Sequence, residues 1–135
     1  MKKHKGSEKM YNEKVMDHFE NPRNMGKMDD ATVFVEVGSP ECGDTTTMYL
    51  KIKDDIIVDV SFQTLGCAAA IASSSMATEM IKGKTLEEAW RLTDGEVASE
   101  LGGLPEPKIH CSVMAEESIH QAINTYRREN GLEPW

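Results

Sequence analysis

The sequence predicts an α+β domain in which a small antiparallel three-stranded sheet carries helices packed on one face. Three observations lead there: apolar residues alternate at period two through the first half, they recur at helical spacing through the second, and short turn signals separate the segments. The 135 residues, 39% of them hydrophobic, suffice for one core without disulfide staples. Residues 10–128 are expected to form that single domain, with 1–9 and 129–135 as tails.

Tyr11, Val15 and Phe19 stand four apart and put an apolar stripe on a helix from Met10 to Glu20, which Asn21-Pro22 stops. Alternation at Val33, Val35 and Val37 marks a strand that Gly38-Ser39-Pro40 turns back, and Met48, Leu50 and Ile52 mark the second. Asp54-Asp55 supplies the next turn. A third strand from Ile57 to Leu65 is expected to show Val58, Val60 and Phe62 on one face. Gly66 ends it, and Ala68 to Ile81, rich in good helix formers, closes at Lys82-Gly83. Thr85-x-x-Glu88 is a capping box opening a short helix with Leu86, Ala89 and Trp90. Another short helix is expected from Gly95 to Leu101, before Gly102-Gly103, Pro105 and Pro107 break the pattern. Met114, Ile119, Ala122, Ile123 and Tyr126 place the last helix between Cys111 and Arg128, and Gly131 to Trp135 trails off.

Fifteen basic against twenty-three acidic residues give a net charge of −8. That balance lacks the electrostatic footprint of a nucleic-acid binder and is repelled by anionic membranes, so a large partner is expected to present basic groups. The first nine residues, MKKHKGSEK, resemble neither a secretory signal nor an amphipathic transit peptide. No run approaches the roughly 18 apolar residues that a membrane span requires. Three cysteines cannot close a complete set of internal disulfides, and with an acidic chain this points to a reducing, cytoplasmic setting with thiols free or metal-bound.

Each cysteine lies where an element begins or ends. Cys42 belongs to Pro40-Glu41-Cys42-Gly43-Asp44, a turn in which Gly43 lets Cys42 and Asp44 point the same way; thiolate and carboxylate together suit zinc or iron. The bland alternative is a β-turn with Asp44 bonded to its own backbone and Cys42 filling space. Cys67 directly precedes a helix, where unpaired N–H groups and the helix dipole favour a thiolate; close packing against an Ala-rich helix is the competing reading. His110-Cys111 puts two ligand types at the start of the last helix, and the pair competes with a surface histidine beside a core cysteine. Three cysteines with an aspartate or a histidine form a four-coordinate set suited to tetrahedral zinc or to a 2Fe–2S cluster. Their wide spacing, unlike a CxxC pair, does not by itself certify convergence.

His4, His18 and His120 are scattered, and Ser73-Ser74-Ser75 lies inside a predicted helix with no base at a recognisable spacing. The nine methionines read as pliable core filler. There is no Gly-rich phosphate loop, no HExxH and no GxSxG, so nucleotide hydrolysis and the common hydrolase mechanisms lack support.

Four stretches together resemble the IscU and NifU N-terminal family of iron–sulfur scaffolds: Tyr11 to Gly26 (YNEKVMDHFENPRNMG), Glu41-Cys-Gly-Asp44, Gly66 to Ser75 (GCAAAIASSS) and Lys108-Ile-His-Cys-Ser112. The resemblance covers Met10 to Arg128 in order and implies the same sheet-and-helix fold. It implies that Cys42, Cys67 and Cys111 supply thiolates, with Asp44 and His110 as the non-thiolate candidates. It further implies assembly of a 2Fe–2S cluster from iron and from persulfide sulfur delivered by a cysteine desulfurase, followed by transfer to recipient apo-proteins. In this picture Cys111 is the first persulfide acceptor, Asp44 keeps the cluster labile, and the chain is a scaffold and not a turnover catalyst. Zinc is a further candidate for the emptied site, and a homo-oligomer is left open. A zinc-dependent sulfur acceptor of the SufU kind is the alternative, although that branch carries an insertion before the last motif and lacks His at position 110. The segment that a dedicated chaperone binds in the family usually reads Leu-Pro-Pro-Val-Lys. Here Leu104-Pro105-Glu106-Pro107-Lys108 stands in its place, which puts that partner in question.

Overall fold

A computed structural model describes residues 12–39, 44–104 and 113–135. The first helix, α1 (Glu13–Glu20), is capped by Asn12, whose side-chain oxygen accepts the Val15 N–H at 2.9 Å. The same side chain donates to Gly103 O at 3.2 Å, tying the helix start to the loop after a later helix. A Cβ at Gly102, where φ is +83°, would stand 3.0 Å from Asn12 Nδ2, so both the backbone and the close approach call for glycine. Val15, Met16 and His18 are buried, whereas Phe19 in the last turn is 37% exposed. Of the expected stripe, Val15 is inside and Phe19 is only partly covered, while Tyr11 lies outside the described residues. The helix spends part of its inner face on His18, a polar residue that finds a buried partner.

Three strands follow, β1 (Val33–Ser39), β2 (Asp44–Lys53) and β3 (Ile56–Leu65), in the order β1-β2-β3 with both pairings antiparallel. The register stacks Val33, Leu50 and Val60 in one inward row and Val35, Met48 and Phe62 in the next. Met48, Leu50 and Phe62 are fully buried, and each such side chain contributes about 1.5–3 kcal/mol of burial free energy. Asp54 and Asp55, both with positive φ (54° and 61°), form the two-residue hairpin turn, whose twist matches that of the strands it joins.

Val58 corrects the expected alternation of β3. The register slips between Lys51 and Ile52, so that Lys51 faces Asp59 while Ile52 faces Ile57. The extra residue on β3 is Val58, which is 43% exposed, and Ile57 is fully buried in its stead. A bulge of this kind cannot be seen in one strand's pattern, because it exists only in the pairing of two.

The helices α2 (Ala68–Ile81), α3 (Leu86–Trp90), α4 (Asp94–Glu100) and α5 (Val113–Glu129) complete the fold. Helix α2 packs on β3, α1 and α5, and α5 also lies on β1 and β2. Being surrounded, α2 is buried on nearly all sides, serines included. Ser73 and Thr78 satisfy their hydroxyls by donating to the Ala70 and Ser75 carbonyls at 3.2 and 2.7 Å. The Thr85–Glu88 capping box is present at α3. A second one, Thr93–Glu96, starts α4 at Asp94, one residue before the expected Gly95. The expected last helix began at Cys111, which lies outside the described residues.

The segment after α5 doubles back. Arg127 Nε donates to Glu133 O at 2.6 Å and Trp135 N to Asn124 Oδ1 at 2.8 Å. The Trp135 ring meets Trp90 edge-on at 5.6 Å, under the Arg127 guanidinium at 4.3 Å. Trp90 in turn stacks on His120 at 3.9 Å, and His120 Nε2 donates to Trp90 O at 2.8 Å. Among the described residues no helix is long and apolar enough to cross a membrane.

Candidate functional site

Of the five candidate ligands only Cys67 is described together with its surroundings. It is the N-cap residue of α2, with extended backbone (φ −79°, ψ 171°) and no side-chain capping bond to the helix. Asp44 opens β2 as the partner of Ser39. Cys42, His110 and Cys111 lie outside the described residues. Among the described residues no group of three or more His, Cys, Asp or Glu side chains is placed to hold a metal.

The chain ends that lead to these candidates do meet. Val37 near the end of β1, Ala70 in the first turn of α2 and Met114 in the first turn of α5 are all buried and form a small apolar cluster separate from the main core, with Cys67 packed against it. Cys67 also touches the main core. Strand pairing adds a further constraint, since Thr45, next to Asp44, faces Leu65, two residues before Cys67. Thus the β1–β2 hairpin, the β3–α2 junction and the start of α5 are fastened at one end of the sheet.

Beside this junction the outer face of the sheet carries an open groove of about 520 Å³, with Met25, Glu36, Thr45, Gln63 and Leu65 among its walls. Leu65 is 78% exposed and Met25 44%. Sequence reasoning placed Leu65 only as the end of a strand. The signal that could have found its exposure is its register, two positions beyond Gln63 on the outward row.

The serine run has a structural explanation. Ser75 Oγ lies 2.8 Å from His18 Nδ1 and accepts the Arg23 backbone N–H at 2.8 Å. Burial first, and the Arg23 charge second, hold the His18 pKa below the usual histidine value. A neutral imidazole nitrogen can therefore accept the Ser75 proton, and the pair joins α1 to α2. The sequence could not show this, because the two residues are distant in the chain and neither has a local pattern.

With this geometry in view, the model of the NifU-like N-terminal domain matches residues 10–133. Over 122 residues the chain is 58% identical to an iron–sulfur cluster assembly scaffold protein, IscU 1, of Archaeoglobus fulgidus, spanning 90% of this chain and 80% of that one. It is 49% identical over 126 residues to the scaffold protein IscU of Azotobacter vinelandii, with coverage of 90% and 98%. The fold is also that of a solved NifU-like N-terminal protein from Brucella abortus, with a TM-score of 0.73 at 21% identity over 91% of this chain and 98% of the other.

Proposed function

Because this chain belongs to the NifU-like N-terminal domain family, we propose that it is a scaffold on which an iron–sulfur cluster of the 2Fe–2S type is assembled and from which it passes to recipient apo-proteins. The observation that carries this reading is the cluster of Val37, Ala70 and Met114 around Cys67, which fastens together the chain ends bearing the candidate ligands. The names of the relatives at 58% and 49% identity support it. Cys42, Cys67 and Cys111 supply thiolates, and Asp44 or His110 the fourth ligand.

Sulfur arrives as the terminal sulfur of a persulfide on a cysteine desulfurase. The Cys111 thiolate attacks that sulfur, a new S–S bond forms to Cys111, and the donor's own S–S bond breaks with the donor leaving as thiolate. An electron-donor protein then supplies two electrons to each transferred sulfur, releasing it as sulfide and returning Cys111 to thiolate. Sulfide and iron build the cluster, which is the cargo and leaves whole. A carboxylate oxygen holds iron less firmly than a fourth thiolate, so Asp44 in the ligand set suits a cargo meant to leave.

Anaerobic incubation with iron, cysteine and a cysteine desulfurase should turn the protein brown, with visible charge-transfer absorption. Cys67→Ser should lose most of that absorption while keeping the thermal melt of the empty protein. A colourless wild-type product with all three thiols intact would reject the scaffold reading.

A further inference from the structure

We infer that Asp94 and Glu116 form a positioning clasp for the start of α5, closed while Asp94 holds a proton and loosened when it loses it. The inference rests on the scaffold reading for its functional consequence but on geometry for its existence. Asp94 is the first residue of α4 and Glu116 stands in the first turn of α5. The Asp94 backbone N–H belongs to the unpaired set at a helix start. Each residue's N–H is taken by the other's side chain: Asp94 N donates to Glu116 Oε1 at 2.9 Å, and Glu116 N donates to Asp94 Oδ1 at 3.2 Å. Two helix ends thus cap one another, although 22 positions apart in the chain.

What this holds is the turn of α5 that carries Met114, which packs toward Cys67, and Cys111 lies just before that turn in sequence. The clasp is therefore placed to set how firmly one ligand segment is presented to the rest. Asp94 and Glu116 act through the helix they hold, so they are positioning residues and not ligands.

The same geometry makes the clasp sensitive to protons. Asp94, Glu116, Glu117, His120 and Gln121 line a hollow of about 290 Å³. Burial pushes the Asp94 pKa up to about 7 from the ordinary 3.8; the Glu116 N–H opposes this, and the negative charges of Glu116 and Glu117 add to it. Folded protein then keeps a proton on Asp94 that the unfolded chain has lost above about pH 3.8. The stability this group contributes therefore falls as pH rises toward about 7 and is lowest above it.

Asp94→Asn removes the titration while leaving an amide oxygen to accept the Glu116 N–H. Amide exchange at residues 115–119, taken as the ratio of variant to wild type so that intrinsic rates cancel, should fall about tenfold from pH 6 to pH 8, because wild type loses one further pKa unit of protection as Asp94 passes through about 7 while the variant does not. Asp94→Ala deletes the acceptor and the titration together, so its ratio to wild type should show the same tenfold fall from pH 6 to pH 8, from a starting value about tenfold higher than that of Asp94→Asn. In reconstituted protein challenged with a chelator, the lifetime of Asp94→Asn relative to wild type should grow several-fold from pH 6 to pH 8. Parallel pH profiles of exchange in wild type and Asp94→Asn would overturn the clasp, even where Asp94→Ala does not fold. If wild type takes up no cluster, the scaffold reading fails while the exchange ratio still judges the clasp.

Discussion

Replacing Met114 with alanine tests the junction on which the candidate site depends. Met114 is 2% exposed and sits with Val37, Ala70 and Cys67. Deleting a buried methionine side chain costs about 2–5 kcal/mol, depending on how well the neighbours collapse into the space. Among the described residues the satellite cluster has three buried members and lies apart from the main core, so the low end, about 2 kcal/mol, is the expected loss. A chain of this size melts roughly 4 °C lower for each kcal/mol, which places the variant about 8 °C below wild type. It should still fold, because a typical domain has about 5–15 kcal/mol in hand. Met114→Leu keeps the volume and should lose less than about 1.5 kcal/mol.

The discriminating readout is the lifetime of the iron–sulfur absorption under chelator. Met114→Ala should shorten it several-fold, because the start of α5 loses its anchor beside Cys67. Ile81→Val serves as the control. Ile81 ends α2, far along the helix from Cys67, and is buried in the main core, so the substitution should cost about 1 kcal/mol of stability with the lifetime unchanged. If Met114→Ala melts like wild type, or melts lower with an unaltered lifetime, the junction does not govern the site and the reasoning fails.

Two further outcomes follow from contacts elsewhere in the fold. Burial holds the His18 pKa below 6.5, so its share of stability is intact above that pH and is lost as pH falls below it; His18→Gln should flatten the acid side of the stability profile below about pH 6.5, and an unchanged slope would clear His18 of that role. Trp135→Ala removes the edge contact to Trp90 and the Arg127 cation–π contact, together about 1–2 kcal/mol, and should lower the melt while altering Trp90 fluorescence; a melt within error of wild type would mean that the C-terminal fold-back carries no weight.

What the sequence revealed and what it hid divide along the range of the interaction. The hairpin at Asp54-Asp55, the capping box at Thr85 and the helix from Ala68 to Ile81 are local, and all three are found where periodicity and turn chemistry put them. Val58 went to the wrong face because its bulge belongs to the pairing of two strands. The His18–Ser75 pair and the Asp94–Glu116 clasp were invisible because each joins residues from different elements. Of the site itself, the sequence offered candidate ligands through a family resemblance and expected them at element ends. The contact that gathers those ends is a tertiary one, and its members Val37, Ala70 and Met114 look individually like any core residue.

Two clusters instead of one also bear on how a scaffold can give up its cargo. The main core, with Met48, Leu50, Ile57 and Phe62 fully buried, closes between the sheet, α2 and α5, and among the described residues Cys67 at its margin is the candidate ligand that packs on it. A domain folded by structural zinc is built the other way: its metal supplies the folding free energy, and a chelator unfolds it. Here, among the described residues, most of the burial lies in the main cluster, while the segments that lead to the candidate ligands meet over a satellite of Val37, Ala70 and Met114. Loosening the satellite therefore costs only a fraction of the total. With the proposed ligand set, that division would let the ligand ends part and re-form around iron and sulfur while the sheet and its helices stay assembled, which is the mechanical condition for loading and unloading within one folded chain.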